Sequence, residues 1–449
     1  MPELLGEDEA LRVAGAALEL PGADGVEVLL VHDWGGLTRF ASSAIHQSTA
    51  REEADVRVRV VTGGRIGVAS TSVLTPEGAR DAAASALETA RLAAPDPGFP
   101  GLAPPADAAQ VDGYDEATAV ATPEERAGAV EALVARAETG FRAAGAYETS
   151  AMEALVATTE GQRAYAASTR TALTTVISGG EGGAGYAEAM ARRTADVDPV
   201  AIGERAARKA RDSQKPRDLA PGRYEVVLEP AAVTTLLSFL AYLGFGGRSI
   251  AEGRSCFTGR EGDRLMSERI SIWDDATSPD TLGLPFDFEG TPKRRVDLVR
   301  EGVFLGGVHD RRSAAQAGAE PTGHALPPPN PEGAFPLNLF LGTGDSAVEE
   351  MVAATERGLL VTRFHYANIV QPKDAVITGM TRDGTWLIED GEVALPVKNL
   401  RFTQSIVEAL RDAIRVGSTS ELASEFFFAA SRVPALQIGS FAFTSASDH

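Results

Sequence analysis

Residues 223–265 read RYEVVLEPAAVTTLLSFLAYLGFGGRSIAEGRSCFTGREGDRL, and this stretch decides the second half of the chain. Tyr224 to Leu228 is apolar and short, which predicts a buried strand. Glu229-Pro230 then opens a helix, because proline suits the first helical turn, where its missing N–H would have no partner. From Ala231 to Leu243 the helix is apolar almost all round, so it is expected in a core rather than on a surface. Gly244, Gly246 and Gly247 end it, and a charged loop follows through Arg248, Glu252, Arg254 and Cys256. A strand feeding a buried helix and a Gly-rich polar loop is a layout that can hold a metal, yet this helix contains no His, Asp or Glu.

Upstream, Leu4 to Leu20 has helical periodicity with Leu11, Val13, Ala14, Ala17 and Leu18 inward. Val26–His32 reads as a strand that Gly35-Gly36 turns into a second, Leu37–Gln47. Val56, Val58 and Val60 alternate with arginines, the period of a half-exposed strand, and Gly63-Gly64 turns it back into Arg65–Ser70. Thr75-Pro76-Glu77 caps a helix to about Ala94. After a proline-rich connector the formula recurs: Thr122-Pro123-Glu124 opens a helix to about Ala143, strands follow at Tyr147–Thr158 and Gln162–Ser178, and Asp198-Pro199 caps a helix to Asp212. The glycines of Gly179 to Gly185 form a hairpin tip. The polar segment from Ser213 to Gly222 marks the boundary between regions 1–217 and 218–449, and the first region divides further into similar parts, 1–105 and 106–217.

Downstream, strands are expected at Ile270–Trp273, Val296–Val299, Val303–Val308, Leu337–Leu341, Leu359–His365, Val376–Thr381, Trp386–Glu389, Glu392–Lys398 and Ala435–Phe443. Ser346 and Glu349 form a capping box for a short helix closed by Gly358, and Phe402 to Val416 reads as an amphipathic helix.

The 449 residues exceed one ordinary core. Against 42 Lys+Arg stand 63 Asp+Glu, a net charge of −21, which repels phosphate backbones and argues against direct nucleic-acid contact. The single cysteine precludes an internal disulfide framework and fits a reducing compartment. The acidic N-terminus has no signal-peptide pattern and no apolar run reaches membrane-spanning length, so a cytoplasmic location without membrane contact is expected.

No self-sufficient catalytic motif is present. The six histidines never pair on one helical face. His32 and His46 fall on strands and read as structural; His309 and His324 flank a loop and read as surface residues; His449 is terminal. His365, in RFHYAN beside Asn368, ends an apolar strand and is either structural or part of a binding surface. Cys256 is either an inert small hydrophobe or a nucleophile with a partner distant in sequence. Gly342-Thr343-Gly344 lacks the lysine and spacing of a phosphate loop and reads as a turn.

Six stretches in order resemble one family: LTRFASSAIHQ with VRVRVVTGGRIGVAST, GRSCFTGREGDRLMSERISIWDD, DRRSAAQAGAEPTGHA, ERGLLVTRFHYANIV, and WLIEDGEVALPVKNLRFTQSIVEAL. They resemble the TldD/PmbA family, once called modulators of DNA gyrase, from about Leu37 to Phe443. In the TldD branch the helix after the YEVVL-type strand carries HExxxH, two zinc-binding histidines and a general-base glutamate. Here Ser238, Phe239 and Leu243 stand at those positions. The chain therefore resembles the TldE/PmbA-like branch that lacks HExxxH.

The resemblance implies no catalytic or metal residue in this chain. It implies instead a non-catalytic subunit that joins a zinc-bearing, TldD-type HExxxH partner as a heterodimer or larger complex. Such a metallopeptidase degrades or matures unfolded peptides. The expected fold is α+β, with antiparallel meanders and flanking helices in the N-terminal region and a barrel-like antiparallel sheet in the β-rich C-terminal region. Arg248, Arg254, Cys256, His365 and Asn368 are the peptide-binding candidates. Two other readings stand beside it: a stand-alone homo-oligomeric peptide-binding protein, with a homodimer in isolation, and a hydrolase using Cys256 or His365 in chemistry unlike the family's.

Overall fold

The computed structural model describes residues 3–425 and 430–446. In the first part of the chain, α1 (Glu7–Leu18) leads into β1 (Gly25–Ala41), β2 (Ala44–Thr62), β3 (Arg65–Thr71) and α2 (Pro76–Leu92). Beyond the connector, α3 (Glu116–Ala119) and α4 (Pro123–Val134) precede β4 (Phe141–Thr158), β5 (Arg163–Gly179), β6 (Gly183–Ala191) and α5 (Pro199–Asp212). The six strands form one antiparallel sheet in the order β3-β2-β1-β4-β5-β6. The order helix, three strands, helix thus occurs twice, with β1 and β4 paired at the centre.

All four longer helices pack on one face. Val26, Val28 and Leu30 meet α1 and α2, while Phe40, Tyr147, Leu173 and Ile177 meet α4 and α5. The opposite face, at Leu29, Ala154 and Val156, receives Leu284 and Phe286 from the second part of the chain. Two glycines set how closely the helices approach. A Cβ on Gly67 of β3 would stand 2.1 Å from Ala86 O and 2.4 Å from Ala90 N of α2. Gly185 of β6 stands in the same relation to α5, 2.2 Å from Ala206 O and 2.5 Å from Ala210 N.

Two expectations fail here. Gly35-Gly36 does not turn the chain: β1 runs unbroken through them, and the reversal comes at Ser42-Ser43, which adopt φ of 51° and 62°. These glycines serve a close approach instead. A Cβ on Gly35 would meet Thr149 O at 2.5 Å, and one on Gly36 would meet the buried Arg126 guanidinium at 2.1 Å. The helix opened by Thr122 stops at Val134, and Ala143 lies on β4, where it is fully buried. The outer half of β2, from Ala44 to Glu53, is exposed throughout, and β3 pairs only with residues 56–62.

The second part opens with β7 (Gly222–Leu228), α6 (Pro230–Gly244) and α7 (Gly247–Ala251), so the charged loop begins with a helical turn. Next come β8 (Ile272–Asp274), β9 (Val296–Arg300), β10 (Val303–Phe304), α8 (Arg311–Ala317), β11 (Leu339–Leu341) and α9 (Val348–Ala353). The remainder is β12 (Arg357–Gln371), β13 (Val376–Glu389), β14 (Glu392–Pro396), β15 (Leu400–Ser405), α10 (Ile406–Arg411), β16 (Ala413–Ala423) and β17 (Ser431–Ala446).

These eleven strands form one sheet. Five of them, β17-β15-β13-β12-β7, close into a ring because β7 pairs with both β12 and β17. The barrel-like expectation holds, but the sheet is mixed rather than antiparallel: β7 runs parallel to β12, and β11 to β17. A helix between β7 and the strand beside it makes a parallel neighbour reachable. Phe364, Phe402 and Phe441, from three strands, meet with ring centroids 4.4–5.5 Å apart.

The expected helix Phe402–Val416 is instead a strand, a six-residue helix and a strand. Helical spacing belongs only to Ile406, Ala409 and Leu410; Phe402 faces the ring core, and packing overrides the local pattern. Val376–Thr381 and Trp386–Glu389 are one strand, β13, carried past Gly384 at φ 125°. The short helix is capped at Ala347, whose N–H donates to Glu350 Oε2 at 2.8 Å, not at Ser346, and Gly358 lies inside β12. His365 does not end its strand, since β12 continues to Gln371. No helix among the described residues is long and apolar enough to cross a membrane.

Candidate functional site

Helix α6 lies against β12 and β17, with Leu236, Leu237 and Leu240 at most 2% exposed. Its Thr234 hydroxyl donates back to Pro230 O at 2.9 Å, and its Thr235 hydroxyl donates to Glu425 Oε2 at 2.8 Å, with Ala231 O farther off at 3.4 Å. Ser238, Phe239 and Leu243 are 6%, 5% and 6% exposed. A phenyl ring and an isobutyl group offer no lone pair to a metal, and a serine hydroxyl is a poor zinc ligand. An HExxxH-type zinc therefore does not fit these side chains. Among the described residues, no three His, Cys, Asp or Glu side chains gather closely enough to hold a metal ion.

Beyond the C-terminus of α6 the chain folds back on it. The Cys256 N–H donates to Leu243 O at 3.1 Å, and the Ser255 hydroxyl donates to Gly244 O at 2.7 Å. Cys256 thereby reaches the wall of a cleft of about 420 Å³ between this loop, the turn after β12 and the start of α10. Burial pushes the Cys256 thiol up to about 12, so at neutral pH it carries almost no thiolate. Lys373 donates to Gly253 O and ties the β12–β13 turn to the loop.

Of the five peptide-binding candidates, only Cys256 lines this cleft. Arg248 is held by Glu252 at 2.7 Å and by Pro331 O. Arg254 is held by the other oxygen of Glu252, at 2.8 Å. His365 and Asn368 are exposed on the outer half of β12, where Tyr366 adopts φ 54° and bulges the strand. Partial burial, then Arg382 and Arg363, hold the His365 imidazole below its usual range. The sequence did not reveal the cleft's cations, Arg223, Arg260, Lys373 and Arg411, because they come from four separate segments.

Sequence reading also missed three buried polar clusters. His324, expected at the surface, is 1% exposed and sits between Thr322 Oγ1 and Asp274 Oδ1, each at 2.9 Å. Burial alone would raise the Asp274 carboxyl, but His324, Lys293 and the Asn338 N–H hold it below the usual carboxylate range. His32 lies on β1 as expected, with Nδ1 2.9 Å from Glu153 Oε1. The buried Glu153 also accepts from Leu5 N, Gly6 N and the Tyr165 hydroxyl.

In the third cluster, Arg59 stands 3.4 Å from Glu27 and 3.1 Å from Glu289, joining the six-stranded sheet to the loop after β8; burial pushes the Glu27 carboxyl up. His46 lies exposed on β2, and His449 lies outside the described residues.

Residues 221–445 match the family model described as the PmbA/TldA metallopeptidase C-terminal domain, and residues 26–90 match the PmbA/TldA metallopeptidase domain 1. A metalloprotease of Methanothermobacter thermautotrophicus is 27% identical over 55% of this chain and 53% of its own length. A TldD homologue of Haemophilus influenzae is 25% identical over 51% of this chain. The chain thus spans about half the length of these two relatives. The metalloprotease PmbA of Escherichia coli O157:H7 is 25% identical over 94% of both chains.

Among solved structures, TldE from Thermococcus kodakarensis superposes with a TM-score of 0.86 at 20% identity, covering 94% of this chain and 97% of that one. A protein described as a modulator of DNA gyrase from Thermotoga maritima gives 0.85 at 19% identity, covering 97% and 99%. The family match across the ring of strands and its buried helix, together with the match in the first sheet, places this chain in the PmbA/TldD metallopeptidase family.

Proposed function

We propose that this chain is a zinc-free, TldE/PmbA-like subunit of a TldD/TldE-type metallopeptidase that degrades or matures unfolded peptides in the cytoplasm. Its partner is a TldD-type HExxxH subunit, which holds the zinc and the general base. The observation that carries this reading is the triplet Ser238, Phe239 and Leu243 on α6: all three are buried, and none supplies a nitrogen or carboxylate ligand. The raised Cys256 thiol weighs against a cysteine hydrolase.

The test is metal content and peptidase activity of the pure chain, alone and mixed with the HExxxH homologue from the same genome. No zinc and no activity alone, with activity in the mixture, is the expected result. Stoichiometric zinc in the isolated chain would overturn the proposal. Arg254→Ala and His365→Ala in the active mixture test the exposed candidates: unchanged cleavage removes them from the peptide-binding surface.

A further inference from the structure

The cleft beside Cys256 has a charge unlike that of the molecule around it. The chain carries a net −21, yet four cations, Arg223, Arg260, Lys373 and Arg411, line this one cleft against two carboxylates, Asp374 and Glu408. Arg260 is neutralised by Asp263 at 2.7 Å. The other three bond only neutral acceptors among the described residues. Arg223 Nε donates to Ser440 Oγ at 2.7 Å, Arg411 Nε donates to Leu265 O at 3.3 Å, and Lys373 donates to Gly253 O.

Each of these bonds anchors its side chain at one nitrogen without an ion pair, and the two carboxylates of the lining, Asp374 and Glu408, leave the cleft with an excess of positive charge. In both arginines it is Nε that is engaged, so the terminal nitrogens remain available, and two such nitrogens match the two oxygens of a carboxylate. The floor is held rigid by Gln404, which donates to Ser405 O and accepts from the Ala442 N–H, both at 3.0 Å. A cleft of about 420 Å³ has room for an end residue or one side chain of an extended chain, not for a folded partner.

We infer that this cleft binds a carboxylate of a peptide, either its C-terminal group or an Asp or Glu side chain. The peptide class rests on the function proposed above; the carboxylate preference rests on the three cations that make no ion pair among the described residues.

The experiment uses the full chain and three dye-labelled octapeptides of one neutral sequence, read by fluorescence anisotropy at low salt. One has a free C-terminus, one is amidated, and one is amidated with a single internal Glu. The free acid is expected to bind at least 10-fold more tightly than the plain amide, and Arg223→Gln, Arg411→Gln and the turn variant Lys373→Gln are each expected to weaken it several-fold. Circular dichroism checks that each variant is folded.

Binding of the internal-Glu amide at the level of the free acid would mean that the site takes either carboxylate, binding of it at the level of the plain amide assigns the site to the C-terminus, and a free acid no tighter than the plain amide beside a tight internal-Glu amide assigns it to side-chain carboxylates. Equal binding of all three peptides would overturn the inference, as would unchanged affinity in all three folded variants. Cleavage of the plain amide by the mixture with the HExxxH homologue is measured separately. Cleavage without carboxylate preference would mean that the cleft assignment alone has failed, whereas carboxylate preference without cleavage would mean that the subunit proposal has failed.

Discussion

Gly67 offers a direct test of how closely the first sheet and its helices are fitted. In Gly67→Ala the new methyl would stand 2.1 Å from Ala86 O and 2.4 Å from Ala90 N, where ordinary contact begins at 3.4 Å. The obstacle is helix backbone, so no side-chain rotation relieves it. Helix α2 would have to retreat by roughly 1 Å or more, loosening Ala79, Ala82, Ala83, Ala86 and Ala90, which are at most 4% exposed. Overpacking of this kind costs about 1–3 kcal/mol, and a clash against backbone belongs at the upper end.

With a slope of about 2–3 kcal/mol per molar urea, a loss of about 3 kcal/mol lowers the unfolding midpoint by about 1 M. Gly15→Ala in α1 is the control. Nothing lies within 4 Å of its Cβ and it is helical, so alanine there should stabilise by about 0.5–1 kcal/mol. Gly185→Ala should repeat the Gly67 result against α5, and the two losses should add, because they act on separate helices. A Gly67→Ala midpoint within about 0.2 M of the unaltered protein would refute the reasoning.

The His32–Glu153 pair makes the N-terminal segment pH-sensitive. The bond that His32 donates to Glu153 raises the imidazole, and that stabilisation is complete below about pH 6.5 and lost as pH rises through the folded value. Bonds from His32, Leu5 N, Tyr165 and Gly6 N hold Glu153 low despite its burial, and that contribution is complete above about pH 4.3 and lost as pH falls. Protection against hydrogen exchange at Leu5 and Gly6, taken relative to the intrinsic rate at each pH, should therefore be greatest between about pH 4.5 and 6.5, and Glu153→Gln should flatten the profile. An unaltered profile in Glu153→Gln would show that the buried carboxylate does not hold the segment. Cys256, raised to about 12, should react with a thiol reagent at pH 8 at least 10-fold more slowly than free cysteine; a rate equal to that of free cysteine would place the thiol in a quite different environment.

What could be read from the sequence was whatever rested on local chemistry. Thr75 and Asp198 accept from the first-turn N–H groups as their capping pattern demands. The alternation Val56, Val58, Val60 matches three fully buried positions on β2. The apolar run from Ala231 to Leu243 is a buried helix. What failed depended on partners distant in the chain. Gly35 and Gly36 look like a turn unless Arg126 and Thr149 are known to press on them. Phe402 looks helical unless Phe364 and Phe441 are known to face it. His324 looks exposed until Asp274, at the end of β8, is placed 2.9 Å away. The same holds for the site: the loss of metal ligands on α6 is a local fact, but the cationic cleft is assembled from four segments and has no signature in any one of them.

The ring of strands has a consequence for how the chain acquires its shape during synthesis. β17 pairs with β7, β11, β15 and β16, so the latest-made strand of the ring is also its most connected. Gly222 lies opposite Phe443, so the first and last strands of the ring are neighbours. Contacts this distant along the chain form slowly, because loop closure must precede them. Until Ser431–Ala446 has left the ribosome, β7 and α6 lack a wall, and their leucines and valines remain without cover. The six-stranded sheet is complete by Ala191 and needs no such wait. A nascent chain would therefore carry a fully paired first sheet, with one face still awaiting Leu284 and Phe286, beside an apolar, unfinished second half, and that interval is when a chaperone would matter most.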